Sequence, residues 1–259
     1  MERNGEIKRT TYKGLPCIVD SCGTLENISH DGPPVNITLP KKTSVFGELI
    51  TTLDSGVLTG NYNTVVIPDT VTEVKPLAFH GAHIKEIVWS SNCFTIPESC
   101  FRFSDIEKIK NIEHVKTVGK FAFAASLLKS IRWPDSCEHI PNDCFSYCES
   151  LKQIENIDSV KEVGAYAFYR SGISKIDWPS NCKVIPDSCF CGSKIEKVNN
   201  LSGITSIGSL AFKDAVRLSE LDLSIHSFIS IGYCAFENVP FERIVFPYYM
   251  GPEELEELF

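Results

Sequence analysis

Cysteine is the most reactive side chain that recurs at fixed positions in this sequence. Six of the eleven cysteines form pairs that are always seven residues apart. The pairs are Cys93 with Cys100, Cys137 with Cys144, and Cys182 with Cys189. Recurring pairs of this kind could hold a metal ion, form disulfide bonds or supply nucleophilic thiols, so the spacing has to be compared with each of these chemistries.

The spacing does not favour a metal site. Structural zinc sites often use two matched pairs with about two residues between the cysteines of each, and neither Cys189-Phe-Cys191 nor Cys144-x-x-x-Cys148 has this two-and-two spacing. His80 and His83 could supply half a site, but no third ligand type recurs beside them, and their position predicts a solvated outer turn. We therefore predict no bound metal and no cofactor.

No recognised catalytic motif is present either. The sequence contains no G-x-S-x-G, no H-E-x-x-H and no G-x-G-x-x-G, so the usual hydrolase, zinc protease and dinucleotide fingerprints are missing. We predict that the chain is not an enzyme. A pocket with convergent polar groups would be sought first in the N-terminal segment that carries Cys17 and Cys22.

The charge and composition of the chain exclude some of the remaining functional classes. The net charge of -8 and the pI of about 5.3 disfavour nucleic-acid binding, which needs a concentrated basic face. No apolar run is long enough to span a membrane, and the first residues lack the apolar segment of a secretory signal. We expect either an intracellular protein or one whose signal has been removed, which leaves the compartment open.

The elements that carry these residues repeat with a steady period of 22 to 24 residues, marked by an anchoring phenylalanine. The anchors are Phe79, Phe101, Phe123, Phe145, Phe168, Phe190, Phe212 and Phe236. Such a period is the signature of a solenoid, in which each repeat forms one coil and the coils stack. We predict that these phenylalanines form its structural core.

Two kinds of coil alternate. Trp coils carry Trp89, Trp133 or Trp178 and a cysteine pair, whereas Asn coils carry asparagine at the Trp position and Val or Ile and Ala at the two Cys positions. Because cysteine replaces small apolar residues, we predict buried free thiols. Bridges between like coils would span about 9.6 Å, beyond the roughly 7 Å of a disulfide; a bridge within one coil stays open.

The Trp and Asn positions end the strand of each coil. The tryptophans could form an exposed strip that grips a partner, but the strand register favours buried rings whose N–H groups are hydrogen-bonded at the turn. The corresponding Asn111, Asn156 and Asn200 are predicted to cap the turn that follows them.

Each coil opens with an alternating segment such as Ile84-Lys-Glu-Ile-Val-Trp89, and the last opens at Phe241. This L-x-x-L-x-L register predicts one parallel strand per coil, with turns or 3₁₀ pieces on the return side. The outward positions form an open sheet face that we predict to bind a partner. They are Glu86, Val88, Lys108, Lys110, Arg132, Gln153, Glu155, Lys175, Asp177, Lys197, Asn199, Glu220 and Asp222.

Charge is unevenly distributed along this face. Lys108, Lys110 and Arg132 predict a basic patch, and Glu155, Asp177 and Asp222 predict an acidic stretch. The alternative is a solvated face with weak cross-strand ion pairs, such as Glu155 with Lys175. Along the chain we predict a β-hairpin-like cap over residues 1–41, a solenoid over 42–250, and an acidic C-terminal tail or cap over 251–259.

The repeat resembles the BspA-like leucine-rich repeat. The segment from Ile67-Pro68 to Ala78-Phe79 follows the family unit I-P-x-x-V-x-x-I-G-x-x-A-F most closely, and the resemblance covers about residues 42–250. The alternation of two coil types departs from the family pattern. The resemblance implies a leucine-rich-repeat solenoid and a surface protein that adheres to host proteins or to bacteria.

We therefore predict a non-enzymatic protein-binding module, used for cell-surface adhesion or host-protein interaction through the sheet face. The alternative is an intracellular scaffold or regulatory adaptor, which the missing signal and the many cysteines favour. Cellular or host proteins are the predicted partners. The resemblance implies a surface or secreted location, and the missing signal implies the cytoplasm.

Overall fold

The computed structural model describes residues 6–43, 46–225, 228–240 and 243–259. The first five residues of the predicted cap and Phe241, where the last coil opens, lie outside this range. The chain divides into two compact units, Met1–Leu128 and Lys129–Phe259. Both units are β-solenoid, built from stacked coils of the predicted leucine-rich-repeat type. The predicted boundaries at residues 41/42 and 250/251 stay a prediction.

The first unit contains one large mixed sheet. An antiparallel hairpin of β1 and β2 pairs with β3, and β3, β5, β7 and β9 then follow in parallel. These strands are β1 Ile7–Tyr12, β2 Leu15–Asp20, β3 Thr24–Thr38, β5 Leu58–Val66, β7 His83–Val88 and β9 Lys108–Lys110. The parallel part of this sheet carries the predicted strand of each coil.

Each coil also carries a second, shorter strand on its return side. In the first unit these two-residue strands are β4 Thr52–Leu53, β6 Glu73–Val74, β8 Thr95–Ile96 and β10 Thr117–Val118. β4 pairs with β6, and β8 with β10, both in parallel. The return side is therefore partly extended and hydrogen-bonded from coil to coil.

The second unit repeats this arrangement with separate strand pairs. On the sheet face, β11 pairs with β13, β15 with β17, and β19 with β21. These are β11 Ser130–Arg132, β13 Gln153–Glu155, β15 Lys175–Asp177, β17 Lys197–Asn199, β19 Leu221–Asp222 and β21 Ile244–Val245. The second column is β12 His139–Ile140, β14 Glu162–Val163, β16 Val184–Ile185, β18 Ser206–Ile207 and β20 Ser230–Ile231. A 3₁₀ turn, Leu201–Gly203, and a short helix, α1 Pro252–Glu256, complete the described elements.

The anchoring phenylalanines lie at the centre of each unit, and all eight are fully buried. Neighbouring rings are stacked nearly parallel. In the first unit, Phe79 and Phe101 have centroids 5.3 Å apart, and in the second, Phe168 and Phe190 are 5.5 Å apart. Because neighbouring paired strands are about 4.8 Å apart, one phenylalanine ring per coil is enough to form a continuous stack along the core.

The turn around each anchor uses left-handed backbone at two positions. The residues two before and two after the phenylalanine have positive φ, as Tyr166 (58°) and Arg170 (49°) do around Phe168. For a residue other than glycine this costs roughly 1–2 kcal/mol. Hydrogen bonds between coils, such as the 3.0 Å bond from the Phe168 N–H to the Cys189 carbonyl, help to offset this cost.

The C-terminal tail continues the stack. Phe259 follows Phe236 by 23 residues. The Phe236 N–H donates to the Leu258 carbonyl at 2.8 Å, and the Phe236 and Phe259 rings lie 6.1 Å apart. The segment that the sequence predicted to be an acidic tail or cap thus ends with an apolar pair, Leu258-Phe259, on the core.

Candidate functional site

The predicted sheet-face residues lie on the sheet-face strands, except Glu220, which directly precedes β19. In the first unit, Lys108 and Lys110 are exposed on β9, while Glu86 and Val88 are partly exposed on β7. In the second unit, all are exposed except Asn199, which is partly exposed. These second-unit residues are Arg132, Gln153, Glu155, Lys175, Asp177, Lys197, Asn199, Glu220 and Asp222.

The tryptophans are part of the core, as the strand register predicts. Trp89, Trp133 and Trp178 are at most 1% exposed. Each indole N–H donates to the carbonyl of the cysteine four residues on, at 2.9 to 3.1 Å. The Trp178 ring packs edge-on against Phe190 at 5.9 Å. An exposed aromatic strip on the sheet face is therefore excluded at these positions.

The prediction that the asparagines cap the turn that follows them is wrong. Instead of capping the turn that follows, each side-chain amide donates to the carbonyl of the tryptophan in the preceding coil. Asn111 contacts Trp89 at 2.8 Å, Asn156 contacts Trp133 at 2.9 Å, and Asn200 contacts Trp178 at 2.7 Å. Because the backbone of each asparagine is left-handed, with φ of 60 to 62°, its side chain lies across the coil boundary rather than over its own turn.

This left-handed position coincides with a break in the sheet. The Trp133 N–H continues the strand pairing, with a 2.8 Å bond to the Glu155 carbonyl of the next coil. After Asn156 the ladder ends, and β13 and β15 are not paired with each other. On its sheet face the second unit thus has strands joined in twos, with a gap after each Asn coil, whereas on the return side β16, β18 and β20 are paired in one three-stranded sheet.

The gap between β13 and β15 is a groove of about 540 Å³. Its lining includes the buried Ile154, Ile157 and Ile176. The exposed side chains around them are Lys152, Gln153, Glu155, Asp158, Lys175 and Asp177. We call this the 154–176 groove. It joins four of the predicted sheet-face residues, Gln153, Glu155, Lys175 and Asp177, in one concave surface.

A shallower groove of about 260 Å³ follows the next Asn coil. It is lined in part by Lys197, Asn200, Glu220, Asp222 and Ile225. Both grooves therefore lie between an Asn coil and the Trp-type or later coil that follows it. Lysine and carboxylate side chains occur together in each lining.

The charged groups of the 154–176 groove make few bonds to one another. Gln153 donates to Glu155 at 2.9 Å, and Asn199 donates to Asp177 at 2.6 Å. The predicted pair of Glu155 with Lys175 is not among the ion pairs of the described residues, because their strands are not paired. In the first unit, where β7 and β9 are paired, Lys110 does meet Glu86 at 2.7 Å.

The predicted basic patch is not a feature of either unit alone. Lys108 and Lys110 belong to the first unit, and Arg132 belongs to the second. In the second unit, Arg132 is already paired with Asp135 at 3.0 Å. The acidic residues Glu155, Asp177 and Asp222 all lie in the second unit, so the predicted acidic stretch can be described within it.

The cysteines and histidines do not form a chemical site in the described part of the chain. All eleven cysteines are free thiols, and the six that recur in pairs are buried. Burial raises the pKa of Cys100, Cys144 and Cys189 well above the ordinary value of 9.0. The ring of His83 contacts Asp105 at 2.6 Å, and His80 packs against Phe103. Within the described residues, no group of three or more potential metal ligands is clustered.

Four groove residues were missed by the sequence analysis. Lys152, Asn156, Asp158 and Ser174 line the 154–176 groove but do not occupy the outward strand positions from which the face was predicted. The signal that points to them is the alternation of coil types, since the groove follows the asparagine of an Asn coil.

In the described ranges, no helix is long and apolar enough to cross a membrane.

A family model for the BspA-type leucine-rich repeat region, with six copies, matches residues 36–152 and 116–242. These two ranges overlap and together cover most of the chain. They include the Trp coils and Asn coils described above. No curated protein matches the chain.

Several solved structures are similar to this chain at low sequence identity. A leucine-rich repeat protein of T. pallidum is 18% identical, with 91% of this chain and 88% of that chain covered and a TM-score of 0.45. One from Bacteroides ovatus is 17% identical, with 92% of each chain covered and a TM-score of 0.36. A leucine-rich cell surface protein of Faecalibacterium prausnitzii is 16% identical, with 97% of each chain covered and a TM-score of 0.33.

Proposed function

The chain belongs to the BspA-type leucine-rich repeat family, and from this premise we propose that it is a non-enzymatic protein-binding module. Its contact surface would be the sheet face of the second unit, centred on the 154–176 groove. The observation that carries the proposal is the groove itself, in which buried isoleucines lie within a border of exposed charged side chains.

The composition of this surface supports a protein partner. Protein interfaces have a polar rim, and the exposed charged side chains around the 154–176 groove can supply one, whereas the buried isoleucines beneath them form its floor. Lys152 and Lys175 lie among Glu155, Asp158 and Asp177 on the border, so a partner with charges of both signs can be oriented by it. The rigid coil stack holds this border in place before binding, which lowers the entropic cost of association.

The finer proposal is adhesion at a cell surface, to host proteins or to bacteria. It rests on the family to which the chain belongs, and the open sheet face offers the required surface. Labelling of intact source cells with a membrane-impermeant reagent tests the location. Recovery of labelled protein would support adhesion, and labelling only after lysis would contradict it.

A second candidate is an intracellular scaffold or adaptor. The specific observation in its favour is that all eleven cysteines are free thiols, an arrangement more common in reducing compartments than outside the cell. Mass spectrometry of the protein isolated under alkylating conditions tests this alternative. Eleven alkylated thiols, after the isolate is denatured in the alkylating reagent without a reductant, would favour the cytoplasm, and disulfides would oppose it.

The binding surface is tested with a charge reversal in the groove. We would compare wild type with a Glu155→Lys, Asp177→Lys double variant, using Lys108→Glu, Lys110→Glu in the first unit as the matched control. Partners are captured from cell-surface extract and from lysate, identified, purified and then titrated directly. We expect the groove variant to lose at least tenfold in affinity and the control to stay within twofold.

Both variants reverse two exposed charges, so a difference in affinity between them shows which unit contacts the partner. If the groove variant binds as tightly as wild type while the control loses affinity, the contact surface is not the 154–176 groove. Equal thermal unfolding of the three proteins shows that folding is unchanged. The proposal fails if neither substitution alters binding.

A further inference from the structure

A cluster of three tyrosines and one arginine lies on the anchor turns of the second unit. Tyr147 and Tyr166 are 46% and 42% exposed, and Arg170 is exposed beside them. The rings of Tyr147 and Tyr169 meet edge to face at 5.3 Å, and those of Tyr166 and Tyr169 do so at 5.7 Å. This is the tyrosine cluster, and it is distinct from the sheet face.

Arg170 lies across the cluster. Its guanidinium carbon is 5.9 Å from the Tyr147 ring centroid and 5.5 Å from that of Tyr169. Two aromatic faces therefore hold the cation through cation–π attraction. The residue at the corresponding position of the next coil is Gly192, which has no side chain to cover the arginine.

The charge of Arg170 is not neutralised by the protein. Within the described residues, its side chain makes no ion pair and donates no hydrogen bond to a protein acceptor. The nearby acidic groups of the following coils are already engaged: Glu237 pairs with Lys213 at 2.8 Å, and Asp214 accepts from Asn238 at 2.7 Å. A planar guanidinium with open N–H groups matches a carboxylate in bidentate geometry.

The backbone N–H groups of these turns, unlike the Arg170 side chain, already have acceptors within the protein. The Tyr147 N–H donates to the Tyr169 carbonyl at 2.7 Å, the Tyr169 N–H to the Tyr166 carbonyl at 3.1 Å, and the Arg170 N–H to Cys191 at 2.9 Å. An extended peptide is usually held through backbone hydrogen bonds. The cluster instead offers side chains only: aromatic faces, hydroxyl groups and one cation.

We propose that the tyrosine cluster, with Arg170, binds the terminal sugar of a saccharide that carries a single carboxylate. The apolar face of the sugar ring stacks on an exposed tyrosine, its hydroxyls bond to the phenolic oxygens, and its carboxylate pairs with Arg170. A polyanionic saccharide fits less well, because the protein has a net charge of -8 and the cluster has one such cation. This inference concerns a second surface and does not depend on the proposed protein-binding groove.

The test is saturation-transfer NMR and calorimetric titration of the full chain with sialyllactose, using lactose as the neutral probe. We expect the carboxylated sugar to receive the strongest transfer and lactose to bind at least tenfold more weakly. Arg170→Gln should reduce the affinity for sialyllactose at least tenfold, and Arg170→Lys should reduce it severalfold, because lysine keeps the charge but loses the planar fork.

The matched control is Arg102→Gln in the first unit. Arg102 lies over Phe103 and Phe121 in the same manner, at 4.9 and 5.0 Å, but those rings carry no hydroxyl. The control should bind sialyllactose like wild type, and all variants should keep the wild-type unfolding temperature within a degree or two. Absence of binding by wild type, equal binding of lactose, or full binding by Arg170→Gln would each overturn the proposal. Binding of an acetylated glutamate peptide in place of the saccharide would overturn it in favour of an acidic protein partner.

Discussion

The sheet face of the first unit is continuous, whereas that of the second is divided into strand pairs. From β3 to β9 every parallel strand in the first unit is paired with its neighbour. In the second unit β11–β13, β15–β17 and β19–β21 stand as separate pairs. The phenylalanine core is the same in both, so the difference arises at the strand ends.

The difference follows the residue that ends each strand. Where the strand ends in Ile67 or Trp133, the backbone stays extended and its N–H reaches the next coil, at 3.0 and 2.8 Å respectively. Where it ends in Asn156 or Asn200, the left-handed backbone turns away and a groove follows. One dihedral angle per coil thus decides whether the strands of neighbouring coils stay paired or are separated by a groove.

The largest expected effect tests whether the core is equivalent in the two units. Phe101→Ala in the first unit and Phe145→Ala in the second should each cost about 3–5 kcal/mol in the free energy of unfolding, because both rings are fully buried. Chemical denaturation with urea measures this cost. A loss below about 1 kcal/mol at either site would show that the ring is not in the core.

A smaller effect tests the asparagine as the cause of the break. Asn156→Gly keeps the left-handed backbone but removes the side-chain bonds to Trp133 and Asp135, and should cost about 1–2 kcal/mol. Asn156→Ala should cost roughly 1 kcal/mol more, since alanine also strains at positive φ. If alanine were tolerated as well as glycine, the left-handed conformation would not be required.

Sequence periodicity predicted the fold because stacking imposes the same spacing on every coil. The anchor spacing and the L-x-x-L-x-L register were enough to predict a solenoid with parallel strands, and the same register placed Trp178 inward. The bond from Asn156 to Trp133 was missed because its partners are 23 residues apart, whereas capping rules consider only neighbours in sequence.

The groove and the C-terminal rung show two other limits of sequence reasoning. The groove depends on the backbone angle of Asn156, and asparagine adopts both extended and left-handed backbone, so residue type alone did not indicate the break. Phe259 had the spacing of an anchor, but the acidic residues before it suggested a tail. The assignment of binding to the sheet face is still a prediction in both units.

The buried thiols should make both units less stable at alkaline pH, with one such thiol, Cys100, in the first unit and two, Cys144 and Cys189, in the second. Since burial raises the pKa of Cys100, Cys144 and Cys189 above 9.0 in the folded protein, only the unfolded chain ionises readily near that pH. Their contribution to stability is complete below about pH 9 and is lost as the pH rises further. The free energy of unfolding should therefore fall as the pH rises from about 9 to about 10.5.

Replacement of these three cysteines by alanine provides the comparison, because alanine fills the same position in the Asn coils. The triple variant should lose part of the pH dependence, whereas Cys22→Ser, at an exposed position, should keep all of it. Urea titrations over this pH range measure both. An unchanged slope in the triple variant would contradict the assignment to buried thiols.

The smallest expected effect is the difference in charge coupling between paired and unpaired strands. A double-mutant cycle on Glu86 and Lys110, which form an exposed ion pair across β7 and β9, should give a coupling of about 0.2–1 kcal/mol. The same cycle on Glu155 and Lys175, across the break, should give none. Equal coupling in the two cycles would mean that β13 and β15 pair in solution and that the groove closes.

The bond from each asparagine to the preceding tryptophan has a consequence for how such an array can change in length. Loss of a single coil would place two coils of the same kind side by side and leave one of these bonds without its partner. Deletion of residues 134–178, which removes 45 residues and joins Trp133 to Pro179, would keep the alternation intact. The heritable module of this protein is therefore two coils, and duplication or deletion in its gene should be tolerated in steps of two.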